Sequence, residues 1–277
     1  MEIDPRTRIA SVSLRVADAE RVAELYEGAL GLTRLPGDGA LRLSADGRRP
    51  LIELKESRSA PPAPPRAAGL FHTAVLFATR AALADSLRRV LEAGFRLTGA
   101  SDHGVSEALY MDDPEGNGVE LYWDRPRDSW PLGPGGSIEM FTAPLDVHDL
   151  LARAEGAEND AAATIGHAHL KVAELPRSVA FWRDAVGLDL KAAYGDQAAF
   201  LAAGDYHHHI GANVWRSGGG PPAPDDALGL ERVTLAMADE AALATTVEQL
   251  REYAEVQETA GALVRDPDGI LVELTVV

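Results

Sequence analysis

The sequence predicts an α+β chain in which one strand, helix, strand, strand, strand unit is written four times, and three observations carry that reading. DPEGNGVELYW (Asp113 to Trp123) and DPDGILVELTV (Asp266 to Val276) are near copies, with Glu120 and Glu273 at the same place. VSLRVADAERVAELYEGALGL (Val12 to Leu32) matches AHLKVAELPRSVAFWRDAVGL (Ala168 to Leu188) along its whole length. Two Pro-rich crossings, RSAPPAPPRAAG (Arg58 to Gly69) and RSGGGPPAPDD (Arg216 to Asp226), stand at matched places in the two halves, and proline favours extended connectors because it joins neither a helix nor a ladder.

Each matched opening alternates apolar residues as a strand does, then passes through Asp18 or Glu174 into apolar residues at helical spacing. Gly31 and Gly187 follow where a helix C-terminus needs a left-handed residue. LRLSADGRRPLIELKE and AAFLAAGDYHHHIGANVW read as hairpins turning at Asp46-Gly47 and Gly204-Asp205. LFHTAVLFAT (Leu70 to Thr79) is a further strand, leading into a helix near Ala81 to Ala93 and strands around Ala108 to Met111 and Val119 to Trp123. LERVTLAMAD (Leu230 to Asp239) begins the same order again. The expected copies are 9–55, 70–124, 165–216 and 230–277, grouped as 1–124 and 165–277, with a connector over 125–164 that carries a strand-like piece and a short helix in SIEMFTAPLDVHDLLARAE.

A chain of 277 residues can bury a core without staples, and the absence of cysteine excludes disulfides, thiolate metal sites and cysteine nucleophiles. Any metal must sit on His, Asp, Glu or Asn. A formal charge of −17 opposes binding to nucleic acid or to an anionic membrane surface. The start, MEIDPRTRIA, has no apolar core, and no run approaches the roughly 20 apolar residues of a bilayer span. A cytoplasmic protein with a small-molecule site is the expectation.

The repeated opening and the DPEGNGVEL hairpin resemble the vicinal oxygen chelate superfamily, which includes glyoxalase I, bleomycin resistance proteins and extradiol dioxygenases. The four-unit length, with SDHGVSEALYMDDPEGNGVELYWDRP and GDYHHHIGANVW, resembles bacterial catechol 2,3-dioxygenase-like proteins. The resemblance implies four βαβββ modules paired into two open barrels, with a divalent metal held by a first-strand and a last-strand residue of each facing module. The first-strand positions are Ser11, His72, His167 and Arg232, and the last-strand positions Glu53, Glu120, Asn213 and Glu273.

Two pairings follow. Chain order would gather Ser11, Glu53, His72 and Glu120 in one cavity and His167, Asn213, Arg232 and Glu273 in the other. Pairing the second module with the third gathers His72, Glu120 and His167 with Asn213 opposite, a two-histidine, one-carboxylate set suited to Fe(II) or Mn(II), and leaves Arg232 among carboxylates in an ion pair. The second pairing is preferred. His209, placed on the Asn213 face by strand alternation, is the first candidate to move protons, and His103 the next; His208 is sent to the other side. His169 shares the His167 face, while Glu115 and Asn117 belong to a turn without chemistry.

The implied activity is extradiol cleavage of a catechol-like or hydroquinone-like ring by dioxygen. A glyoxalase-like lyase or isomerase holding Zn(II) or Ni(II), using Glu53, His72 and Glu120, is the alternative enzyme. A non-catalytic small-molecule binding protein is the third reading. Free strand edges of open barrels make a homo-oligomer an expectation as well.

Overall fold

The computed structural model describes residues 2–37, 39–133 and 136–276. The first copy holds β1 (Arg8–Val16), α1 (Ala19–Gly28), β2 (Thr33–Leu35), β3 (Leu41–Ser44) and β4 (Ile52–Glu56). The second holds β5 (Gly69–Leu76), α2 (Arg80–Glu92), β6 (Leu97–Asp102), β7 (Ser106–Asp112) and β8 (Gly118–Asp124). A connecting stretch contributes β9 (Ala143–Pro144) and α3 (Val147–Leu151). The third copy holds β10 (Thr164–Lys171), α4 (Leu175–Ala180), β11 (Asp189–Tyr194), β12 (Ala198–Ala202) and β13 (Ile210–Asn213). The fourth holds β14 (Gly229–Met237), α5 (Glu240–Leu250), β15 (Gln257–Glu258), β16 (Ala262–Arg265) and β17 (Leu271–Val276). Every copy is thus one strand, one helix and three strands. Among the described residues no helix is long and apolar enough to cross a membrane.

The local reasons match the sequence. Asp18, Thr79 and Asp239 each cap their helix by accepting the backbone N–H three residues on. Glu174 makes no such bond, and proline in the first turn of α4 starts that helix instead. Its continuation, Phe181–Ala185, widens into a π turn closed by Val186 N–H on the Phe181 carbonyl at 3.0 Å. Gly31 and Gly187 have φ of 72° and 93°, the left-handed conformation that a helix exit requires.

The strands form two sheets. One has eight strands in the order β15-β16-β17-β14-β1-β4-β3-β2, the other nine in the order β11-β12-β13-β10-β5-β8-β7-β6-β9. The first and fourth copies therefore share one sheet, and the second and third share the other. By contact density the chain divides into two compact units, one of residues 1–15, 60–71 and 166–277, the other of 16–59 and 72–165.

Within each unit, the turn before the last strand fastens one copy to the other. Glu115 accepts the backbone N–H groups of Ala17 and Asp18 at 2.8 and 2.7 Å, and Asp268, its counterpart, accepts that of Ala173 at 3.0 Å. The turns themselves are held by Asp113 and Asp266. Asp113 Oδ1 accepts the N–H groups of Glu115 and Asn117, and its Oδ2 accepts the Asn117 amide at 2.8 Å. Asp266 Oδ1 accepts Asp268 and Ile270 in the same way, but Ile270 replaces the asparagine and leaves Asp266 Oδ2 buried with no hydrogen-bond partner among the described residues. In the connecting stretch, Asp85 accepts the N–H groups of Glu155 and Gly156, so the segment after α3 is tied to α2.

Candidate metal centre

His72 lies on β5 and Glu120 on β8, two strands that pair in parallel with Ala74 opposite Glu120. Tyr110 of β7 is opposite Glu120 on the other side. Side chains on one sheet face recur every second residue, so His72, Ala74, Tyr110, Glu120 and Tyr122 share a face. Ala74, Ala108 and Tyr122 form its apolar floor, with Tyr110 packed against it. His72 is 6% and Glu120 3% exposed, and His72 Nε2 lies 2.9 Å from Glu120 Oε2. A carboxylate this deep requires a positive partner, either an imidazolium or a metal ion.

A second pair of side chains adjoins it. The His103 Nδ1 is 2.8 Å from the Phe141 carbonyl, which can only accept, so Nδ1 carries the proton of the neutral ring. His103 Nε2 then accepts the Tyr110 hydroxyl at 2.7 Å. The Tyr110 ring is centred 5.7 Å from that of His72.

His167 and His169 lie on β10, both buried. β10 pairs in parallel with β13, with His169 opposite Gly211 and Lys171 opposite Asn213. The same step from the first-strand position in other copies leads to Ala74 opposite Glu120 and Thr234 opposite Glu273. Gly211, rather than Asn213, therefore occupies the last-strand ligand register of the third copy, which corrects the expectation that Asn213 faces the metal. The His169 ring fills the space that a side chain there would take: a β-carbon on Gly211 would lie 2.8 Å from His169 Cγ. Gly211→Ala is expected to cost about 1–3 kcal/mol by forcing that ring aside, measured as a shift in the urea midpoint.

β13 begins at Ile210, but His209 N–H still donates to the Leu201 carbonyl at 2.8 Å and its carbonyl accepts Ala168 N–H at 3.0 Å, so alternation reaches His209 and stops short of His207 and His208. His208, expected on the opposite side, is 7% exposed and its ring is centred 4.0 Å from that of His167. His207 Nδ1 meets His208 Nδ1 at 2.7 Å, so one of the two rings donates and the other accepts. His209 Nδ1 accepts the Ala203 N–H at 3.2 Å, and burial, reinforced by His207, His167 and Lys191, pushes its pKa down to about 3. It stays neutral throughout the physiological range.

In the fourth copy Arg232 Nε lies 3.1 Å from Glu273 Oε2, and the Thr234 hydroxyl donates to the same oxygen at 3.0 Å. That carboxylate is satisfied from within, as the arginine at a ligand position suggested. His72 and Glu120, in one unit, are buried side by side with Nε2 and Oε2 2.9 Å apart, and His167, in the other, is 2% exposed.

The profile of the Glyoxalase/Bleomycin resistance protein/Dioxygenase superfamily matches residues 8–121 and 164–274. The catechol-2,3-dioxygenase of Bacillus subtilis (strain 168) is 37% identical over 271 residues, covering 94% of each chain. Glyoxalase I from Zea mays shares the fold at a TM-score of 0.61 and 16% identity, covering 98% of this chain and 92% of its own. The CppA protein of Streptococcus pneumoniae TIGR4 shares it at a TM-score of 0.55 and 12% identity, covering 98% and 99%. The repeated halves each match the profile, and the chain belongs to the glyoxalase/bleomycin resistance protein/dioxygenase superfamily.

Proposed function

We propose that this chain is an extradiol dioxygenase, in which His72, Glu120 and His167 hold one Fe(II) or Mn(II) and a catechol-like or hydroquinone-like ring is opened with both atoms of dioxygen inserted. The observation that carries the reading is the buried His72–Glu120 pair on neighbouring strands, with a second buried histidine, His167, at the matching first-strand position of the third copy. Neutral imidazoles and one carboxylate leave a divalent ion with net positive charge, and three protein donors leave room for other ligands. When bound, the ion would hold the ring oxygens and dioxygen side by side and pass charge between them.

The chain's own part is to bind the ring, shed water and take its proton. Ala74, Ala108 and Tyr122 give an apolar floor beside the ligands. The Tyr110 hydroxyl, already donating to His103 Nε2, is a route by which a phenolic proton reaches an imidazole able to accept it. His103 therefore takes the proton-accepting role ahead of His209, whose pKa of about 3 makes it a poor base and whose Nδ1 is engaged. Tyr110→Phe is expected to lower kcat about ten- to a hundredfold with metal content retained and KM moved little, read by steady-state oxygen uptake.

The lyase alternative needed Glu53 beside His72 and Glu120. Its strand β4 belongs to the eight-stranded sheet, whereas β5 and β8 belong to the nine-stranded one, so the continuous sheet that chain-order pairing would build from β4 and β5 does not form. The test is oxygen consumption by anaerobically purified, Fe(II)-loaded protein on adding a panel of catechols and hydroquinones. Ring-dependent uptake supports the proposal. Turnover of a hemithioacetal without uptake would favour the lyase, and tight ring binding without any turnover a binding protein.

A further inference from the structure

On the face of β10 that carries His167 and His169, the next residue is Lys171, about 13 Å along the strand from His167. Its register partner on β13 is Asn213, and paired residues project to the same side. The Trp215 N–H donates to Asn213 Oδ1 at 3.2 Å, which fixes the amide so that Nδ2 is the free end. That Nδ2 is buried, and among the described residues it has no hydrogen-bond partner. The segment that follows folds back along β10, because the Ser217 hydroxyl donates to the Val172 carbonyl at 2.9 Å. Arg216 is thereby brought beside Lys171, whose ammonium is held below its ordinary range by burial and by the Arg216 charge. Among the described residues neither cation has a carboxylate partner, in a chain with 43 acidic residues.

Around these donors stands an aromatic shelf. Phe71 packs edge to face on Trp215 at 5.3 Å and on His169 at 5.2 Å, and the Arg216 guanidinium lies 5.9 Å from the centre of the Phe71 ring. Trp215 is 48% exposed. Two like charges and an unsatisfied amide donor, held together with no acceptor, cost free energy unless an anion joins them.

We propose that Lys171, Asn213 and Arg216 bind an anionic group, a carboxylate carried on a short chain by the aromatic substrate, with Phe71 and Trp215 covering its apolar stem. This rests on the dioxygenase reading for the ring and adds the charge that the substrate carries. The three groups supply ammonium, amide and guanidinium donors, which suit the oxygens of a carboxylate.

The experiment is anaerobic calorimetry on the metal-loaded protein with 3-(3,4-dihydroxyphenyl)propanoate and with 4-ethylcatechol, at low and high salt, beside oxygen uptake with both. The carboxylated ring should bind at least about tenfold tighter at low salt, with the margin shrinking at high salt. Arg216→Gln, at an exposed position, and the near-isosteric Asn213→Asp, which adds a repelling charge, should each reduce that margin several-fold, and Lys171→Met should abolish it. Equal binding of the two rings, or an undiminished margin in Arg216→Gln and Asn213→Asp, would overturn the proposal. So would acetate or inorganic phosphate competing as strongly as the carboxylated ring, because the site would then hold a free anion. Failure of the two readings is separable: no oxygen uptake with a charge-dependent margin removes the dioxygenase and keeps the anion site, whereas uptake without a margin does the reverse.

Discussion

His167→Ala is expected to abolish oxygen uptake, lowering it by at least about a thousandfold, while the chain stays folded. The remaining donors, His72 and Glu120, already lie 2.9 Å apart, so they can satisfy each other as an imidazolium and a carboxylate once no metal is held. His72→Ala is different. It strips the carboxylate of that partner at a site 3% exposed, so activity and stability should fall together, the latter by roughly 3–5 kcal/mol if no metal compensates. Glu120→Gln keeps the volume and removes the charge that offsets the metal. Glu273→Gln is the control, since that carboxylate is occupied by Arg232 and Thr234, and uptake should persist. Thermal unfolding in parallel with oxygen uptake separates lost ligation from lost fold.

Asp266→Asn is expected to stabilise the protein at pH 8 by a few kcal/mol and to do little at pH 4. Burial is the main reason that Asp266 titrates at about 7, and the nearby Asp268 charge adds to it. In the unfolded chain an aspartate titrates near 3.9. Between those values the folded state binds the extra proton, so stability is greatest in acid and declines as pH rises from about 4 to about 7. Asparagine would still offer Oδ1 to the Asp268 and Ile270 N–H groups without ionising. Urea midpoints measured at pH 4, 6 and 8 should slope downward in the parent and flatten in the variant. Equal slopes would show that Asp266 does not titrate between these limits. Asp113 should contribute a smaller slope of the same sign, because Asn117 donates to the oxygen that its counterpart leaves bare.

Much of this was legible because the chain repeats itself. An element that is ambiguous once becomes secure when its match elsewhere carries the same spacing, so the strands and helices of all four copies fall close to their expected places. His72 and His167 stood out for the same reason, being the two histidines at one repeated position. The third copy's last strand is harder to read because β13 has only four residues and His207 and His208 before it are not strand. Counting by twos from Asn213 therefore holds as far as His209, whose backbone still bonds to Leu201 and Ala168, but not for His208, whose ring lies 4.0 Å from that of His167. Lys171 opposite Asn213, and Gly211 opposite His169, depend on strand register, which a one-residue slip would reverse and which no residue type announces. The fastening by Glu115 and Asp268 was hidden differently: a carboxylate in a Pro-Gly turn looks like any solvated turn residue until the amides it accepts are seen.

The most direct test of the metal centre is elemental mass spectrometry of the anaerobically prepared protein and its His167→Ala variant after loading with Fe(II) and desalting. The account predicts about one iron per parent chain, as the proposed set of His72, Glu120 and His167 implies, and almost none in the variant. Equal iron in the two proteins would contradict it, because the ion would then be held by residues other than His72, Glu120 and His167.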